Sequence, residues 1–408
     1  MRLSTSWMYQ QSLSTMLNQQ SALAATQNQV STGKRINVAS DDPVGAGKVI
    51  SLDHILAANA QYSSNIDSAN TRLSTEQTAL TGVTNLLDSA RSMALQGING
   101  TLSSSDRKDM ATQLSQLRDQ LIQLANTSDS NGDALFAGTS TTKTPFVQGA
   151  NGAVSYAGND AQLMAAIGSG LQIYTGDAGS GLFMGIPSGN GSFTASAGGS
   201  NTGTLVVGAN AVSDPVAWGS ASAASGGGYT ISFDGAGNWS AADANGDPVV
   251  DGAGNPVGGA YQDGGSISFN GMSITLTGAP ATGDTVAVKP AGSQDIFSTL
   301  GNMIAVLQGN GSDTDLDNGL NRQIESLDQG LASASNAMVA IGGRMNTLDQ
   351  QKNAYADLGV TYESSLSDTQ NVDVYTAISN LSLQSAALQA SQQVFAQVKS
   401  MSLFNYIK

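Results

Sequence analysis

There is no cysteine among the 408 residues, and the single histidine is His54. Disulfide staples and thiolate metal sites are thereby excluded, and most catalytic triads and zinc sites lose the imidazole they need. Charge is scarce too. Asp, Glu, Lys and Arg make up 12% of the chain, against roughly 25% in ordinary soluble domains. The balance is 31 acids to 16 bases, a net charge of −15. A chain with no basic face cannot neutralise nucleic-acid phosphates or dock electrostatically on an anionic membrane, so neither partner is expected. No run approaches the ~18 apolar residues of a membrane span. The stretch Met1–Gln20 has one Arg but no apolar h-region, so no Sec-type signal peptide is expected. Phosphate-loop, zincin and nucleophile-elbow motifs are absent as well.

What is present divides into helix, insert, helix. Tyr9, Met16, Leu23 and Val30 lie seven apart. Leu52, Ile66, Leu73, Leu80, Leu87 and Ala94 form a heptad ladder broken by Asn59, and Ala69, Val83 and Ala90 add a second ladder four residues before it. Met110, Leu114, Leu117, Leu121 and Leu124 alternate at spacings of 4 and 3 behind a Ser-Ser-Ser-Asp cap at 103–106. An average spacing of 3.5 keeps an apolar seam against a partner helix.

The last zone mirrors the first. Ile296, Leu300, Met303 and Leu307 make a short seam. After a Gly/Asn/Asp loop, a longer seam runs from Leu320 through Leu327, Ala334, Ile341 and Leu348 to Tyr355, broken only by Lys352. A helix over 320–366 is about 70 Å long and cannot bury its seam within itself. The 52–98 segment has matching length. Val374, Leu381, Leu388 and Phe395 form a terminal heptad in the style of the first.

The middle zone, 146–292, holds most of the 48 glycines and six of the eight prolines. Between Thr144 and Val288 there are nine Asp and no Lys or Arg. Segments 204–209, 229–233, 265–269, 271–278 and 284–290 alternate and are bounded by turn residues, which predicts short antiparallel strands. The expected fold is therefore mainly α with a β insert: long N- and C-terminal helices pair as an antiparallel coiled-coil bundle rod and carry an antiparallel β-domain.

The candidate chemistry is thin. Asp234–Asn238, Asp243–Asp247 and Asp251–Asn255 form a small repeat of Asp and Asn around Gly. Oxygen-rich loops of this kind can ligate calcium, but no bidentate Glu follows, and hairpin turns use the same residues. Asp41-Asp42 before Pro43 reads as a helix cap, with Asp42 at N-cap and Pro43 at the first helical position. Lys34-Arg35 after Gly33 reads as a helix-terminal or intersubunit pairing element, and His54 as partly exposed or at a core edge. No catalytic, cofactor or metal site is expected, and the chain reads as a non-enzyme.

Three stretches resemble the bacterial flagellin superfamily. Ser31-Thr-Gly-Lys-Arg-Ile-Asn-Val-Ala-Ser-Asp-Asp-Pro-Val-Gly-Ala-Gly-Lys48 is similar to its N-terminal element, Ile341-Gly-Gly-Arg-Met-Asn346 to its internal Gly-x-Arg-[LM]-[ND] element, and Ala386–Lys408 to its C-terminal end. Gly132–Thr141 with Thr144-Pro-Phe146, and the ending Ser402-Leu-Phe-Asn-Tyr406, resemble the hook–filament junction members more than flagellin itself. Ala134 stands where those members often have Tyr. The resemblance covers 1–146 and 293–408.

The resemblance implies a structural adaptor joining hook to filament, with flagellin, the filament subunit, as the alternative. It implies a homo-oligomeric ring between the first junction protein and flagellin. It also implies delivery by an export chaperone and the flagellar type III apparatus without a cleaved signal, and an extracellular location in the flagellum. It divides the chain into assembly arms (1–48 with 368–408), a helical rod (49–145 with 293–367) and an outward β-domain (146–292). The assembly residues are then Tyr9, Met16, Leu23, Val30, Lys34, Arg35, Val374, Leu381, Leu388, Phe395 and Phe404.

Overall fold

The structure, a computed structural model, describes residues 5–98, 100, 102–150, 152–224 and 227–400. Three helices open the chain: α1 (Thr5–Thr32), α2 (Pro43–Gly97) and α3 (Ser104–Ala125). The insert follows with β1 (Phe146–Gln148), β2 (Val154–Tyr156), β3 (Met164–Gly168), β4 (Leu171–Tyr174), β5 (Ile186–Pro187), β6 (Phe193–Ala197) and β7 (Val206–Val212). After α4 (Pro215–Ala224) come β8 (Tyr229–Phe233), β9 (Asn238–Asp243), β10 (Gly258–Ala260), β11 (Ser266–Phe269), β12 (Met272–Thr277), β13 (Thr285–Pro290) and β14 (Ser293–Gln294). Helices α5 (Ile296–Gln308), α6 (Asp313–Gln370) and α7 (Val374–Ser400) close it. The α-with-β-insert architecture expected from the heptads is thus the observed one. Each strand segment predicted in the insert overlaps a strand, with β7 running three residues past the predicted 204–209, and among the described residues the strands pair antiparallel.

The chain divides into two compact units, residues 1–64 with 350–408 and residues 65–349. In the second unit α2 and α6 run antiparallel. Their contacts descend one helix as they climb the other: Asn70 with Asp349, Thr81 with Met338, and Arg91 with Asp328. The α2 seam is buried at Ile66, Ala69, Leu73, Glu76, Leu80, Val83, Leu87, Ala90 and Ala94, a continuous alternation of 3 and 4. On α6, Leu320, Ile324, Leu327, Ala334, Ile341 and Leu348 answer it. Each fully buried Leu contributes roughly 2–3 kcal/mol by leaving water. Helix α3 starts where Ser103 and Asp106 close a capping box, and it packs on α5, with Ala111, Leu114 and Leu121 buried on the first and Leu300, Met303 and Leu307 on the second.

The Gly132–Phe146 motif does structural work at the foot of the insert. Phe136 and Phe146 each meet Phe183 at 5.3 Å, and Phe146 also meets Phe297 of α5 at 5.3 Å. Four buried rings so join the loop after α3, the insert and the C-terminal helices. Beyond them, a five-stranded sheet (β10-β9-β8-β13-β6) and a three-stranded sheet (β11-β12-β7) share one core with Trp218 of α4.

Strand β7 lies at a sheet edge, and helix side chains satisfy it instead of a further strand. Asn318 of α6 accepts from Val207 N at 2.8 Å and donates to Leu205 O at 2.9 Å. Asn321 donates to Val207 O at 3.0 Å, and Glu325 accepts from Asn210 N at 3.2 Å. Residues 318, 321 and 325 share one helix face, so an amide–amide–carboxyl row stands in for a strand. Asn318→Ala orphans Val207 N and Leu205 O inside the core. The expected loss is about 2–3 kcal/mol, measured as a lower denaturant midpoint at unchanged slope.

Candidate assembly interface

In the first unit α1 pairs with α7. Tyr9 meets Phe395 edge to face at 5.9 Å. Counting seven residues along each helix in opposite directions from that pair brings Met16 to Leu388, Leu23 to Leu381 and Val30 to Val374. Tyr9, Met16, Leu23, Val30, Leu381, Leu388 and Phe395 are all half-buried. Val374, the first residue of α7, keeps 45% of its surface exposed. Phe404 lies outside the described residues.

The other half of the seam is polar or small: Ser12, Gln19 and Thr26 on α1, and Ala377, Gln384 and Ser391 on α7. Thr26 is buried with its hydroxyl on Ala22 O at 3.0 Å. Gln19 Oε1 and Gln384 Oε1 are buried without a partner. A seam apolar at only every second position holds two helices together weakly.

The turns into and out of these helices clasp each other. Gly33 takes a φ of +70°, which ends α1 as a left-handed residue does. Its carbonyl accepts from Val372 N at 3.0 Å, and Arg35 N donates to Gln370 O at 2.7 Å, so the α1–α2 link pairs with the α6–α7 link. Arg35 also donates to Thr369 O at 2.8 Å and reaches Asp42 Oδ2 at 3.2 Å. Lys34 bridges Asn371 through the backbone. Asp42 caps α2 by accepting from Gly45 N at 2.9 Å, and that N–H, followed by Arg35, holds its carboxyl below the usual range. A side chain at position 45 would meet Asp42 Oδ2 and Ile36 Cδ1 at 2.5 Å, so any larger residue must displace the capping carboxyl or the Ile36 side chain. Asp41 accepts from the Asn37 and Val38 amides. Asp373 caps α7 through Tyr375 N and Thr376 N. His54 is exposed.

Outside the seam the arms leave large apolar side chains in water. Trp7, Leu13 and Leu17 on α1, and Tyr375, Leu383 and Val394 on α7, are exposed, Tyr375 by 90%. From residue 3 to 33 and from 374 to 397 there is no charged residue at all. The two helices carry one charge between them, Lys399, and combine a half-polar seam with uncovered aromatic and aliphatic groups. The heptads pointed to the pairing. The missing charge, readable from the sequence alone, is the signal that marks the outer faces as well.

The Asp/Gly repeat of the insert is occupied by its own turns. Asp234 Oδ1 accepts from Ala236 N at 2.8 Å and Asn238 N at 3.0 Å, and the Asp243 and Asp251 turns repeat the arrangement. The Asn238 amide and those N–H groups hold Asp234 below the ordinary carboxylate range. Among the described residues no group of three or more metal-type ligands gathers.

Comparison with known proteins agrees with the motifs. The family "Bacterial flagellin N-terminal helical region" matches residues 3–141. Flagellar hook-associated protein 3 of Salmonella typhimurium is 37% identical over 188 residues, which is 46% of this chain and 58% of that protein. The match thus spans little more than half the length of that curated relative. Among solved structures, FlgL of Xanthomonas campestris is 30% identical, with 77% of this chain and 99% of that one covered at a TM-score of 0.63. Hook-associated protein 3 of Legionella pneumophila is 28% identical, with 78% and 97% covered at 0.70. Both are matched over nearly their whole length, whereas about a fifth of this chain has no counterpart in them.

Leu23→Asp places a carboxylate in the α1–α7 seam, at a cost of at least about 2 kcal/mol. Far-UV circular dichroism is expected to lose the contribution of these two helices at low protein concentration, while the unfolding of residues 65–349 stays unchanged.

Proposed function

The chain belongs to the flagellar hook-associated protein 3 family, and from that premise we propose that it is the structural adaptor between hook and filament. It is a component of the bacterial flagellum and interacts with other flagellar components. In this reading it has no catalytic role and no cofactor. Copies of the chain form a ring whose lower side docks on the first junction protein and whose upper side receives flagellin.

The observation that carries this reading is the pair of terminal helices with a single charge between them, Lys399, and with Trp7, Leu17, Tyr375 and Leu383 uncovered. A surface of this kind excludes water only against another helical surface, and with so little charge the contact depends on shape and apolar area. Residues 1–48 with 368–408 are then the assembly arms, with Tyr9, Met16, Leu23, Val30, Leu381, Leu388 and Phe395 setting their internal register. Lys34 and Arg35 brace the turn that aims them. Residues 49–145 with 293–367 form the helical domain, and 146–292 the outward domain. Delivery is through the flagellar type III apparatus with an export chaperone, and the chain acts outside the cell.

Deletion of the gene is expected to leave hooks without filaments in electron micrographs, with flagellin shed as monomer into the medium. Loss of filaments with no flagellin in cells or medium would identify the chain as flagellin instead, and normal filaments would overturn both readings. Removal of residues 1–40 or 370–408 is expected to abolish assembly while residues 65–349 stay folded. Intact assembly of the truncated chain would sink the role of the arms.

A further inference from the structure

The chain contains only three glutamates, Glu76, Glu325 and Glu363. Two of them sit where the long helices meet the insert, and each accepts a backbone N–H from it. Glu76 lies on the second heptad ladder of α2, between Ala69 and Val83, and is fully buried. Its Oε1 accepts from Asp177 N at 3.1 Å, whereas its Oε2 has no partner. Glu325 of α6 accepts from Asn210 N at 3.2 Å and from Asn210 Nδ2 at 2.9 Å.

The charges around Glu76 are already committed to one another, whereas Arg322 beside Glu325 is in none of the ion pairs of the described residues. Facing Glu76 are Arg72 of the same helix, Asp129 of the loop after α3, Asp177 of the insert and Arg344 of α6. Arg72 pairs with Asp129 at 2.7 Å, and Arg344 grips Asp177 with two bonds of 2.7 and 3.0 Å. Two cations and two anions cancel, so an ionised Glu76 adds an uncompensated negative charge to the core. Near Glu325 are Arg322 and Asp328 of its own helix and Arg91 of α2, the last two paired at 2.7 Å, with Asp88 beside Arg91. The facing β7 brings only the neutral Asn210.

We propose that Glu76 and Glu325 are two proton-operated catches that hold the insert on the long helices, seated when the carboxyls are protonated and loosened when they ionise. The inference rests on the interior of residues 65–349 and is independent of the assembly role. Burial, followed by the charge of Asp177, pushes Glu76 up to about 8 against the Asp177 amide and the Arg344 and Arg72 charges, and burial pushes Glu325 up to about 7 against the Asn210 donors and the Arg322 charge. The folded chain therefore binds these protons more tightly than the unfolded one. The stability they lend is complete below the ordinary glutamate range and is lost as pH rises through 7 and then 8.

Three glutamates make the test direct. In the full chain labelled with carboxyl-¹³C glutamate, three signals are followed against pH. Glu76→Gln and Glu325→Gln assign two of them, and the exposed Glu363 serves as reference. The two assigned signals are expected to move only above about pH 6. Amide hydrogen exchange at Asp177 and Asn210, corrected for the intrinsic rate, is expected to lose about tenfold protection or more between about pH 6 and pH 9. Each Gln variant is expected to keep the protection at its own contact. Titration of both signals together with Glu363, protection that stays constant across the range, or protection that falls as far in the variants as in the parent would each overturn the proposal.

Discussion

A seam that repeats every seven residues from Ile66 to Ala94 of one helix has no means of burying itself. It is satisfied only if the chain turns back and lays a second seam along it, and α2 and α6 do this from opposite ends of the sequence. The pairing puts Asn70 by Asp349 and Arg91 by Asp328, and that register places the foot of the insert. Helices α3 and α5 pack on each other beside it, and the Phe136–Phe146–Phe183–Phe297 cluster seals the point where strands begin.

Polar groups do the joining where apolar packing ends. Asn318 and Asn321 pair with the open edge of β7 as a strand would, but from a helix, so the edge is closed to pairing with another chain. Arg72, Asp129, Asp177 and Arg344 tie the loop after α3 and the insert to both long helices. In a chain with 12% charged residues, such a concentration at the root of the insert sets its position more tightly than the same groups could on the surface. The terminal arms follow the opposite rule. They carry no charge over most of their length, their seam is half polar, and their large apolar groups face outward.

Much of this was legible in the sequence. The 3-and-4 spacing located every long helix, Asp42-Pro43 and Ser103-x-x-Asp106 located two starts, and alternation located five strands of the insert. Tyr9 and Phe395 were readable as members of matching heptads, and the structure makes them a ring pair. Glu76 was passed over because the ladder around it was read for apolar residues alone, and a carboxyl there breaks the pattern. The roles of Asn318, Asn321 and Glu325 were invisible for another reason: polar residues on a helix face normally meet water, and nothing local says that a strand edge lies opposite.

Periodicity, caps and turn residues act over a few neighbouring positions, so the sequence by itself determined which segments are helix or strand, where they start, and which faces are apolar. Partners are chosen across the chain. That Arg344 grips Asp177, that Glu76 receives the Asp177 amide, and that Val372 closes on Gly33 depend on separations of about 100 residues or more. Only the tertiary structure decides these, because the free energy of a buried polar group depends on what it faces and not on its neighbours in sequence.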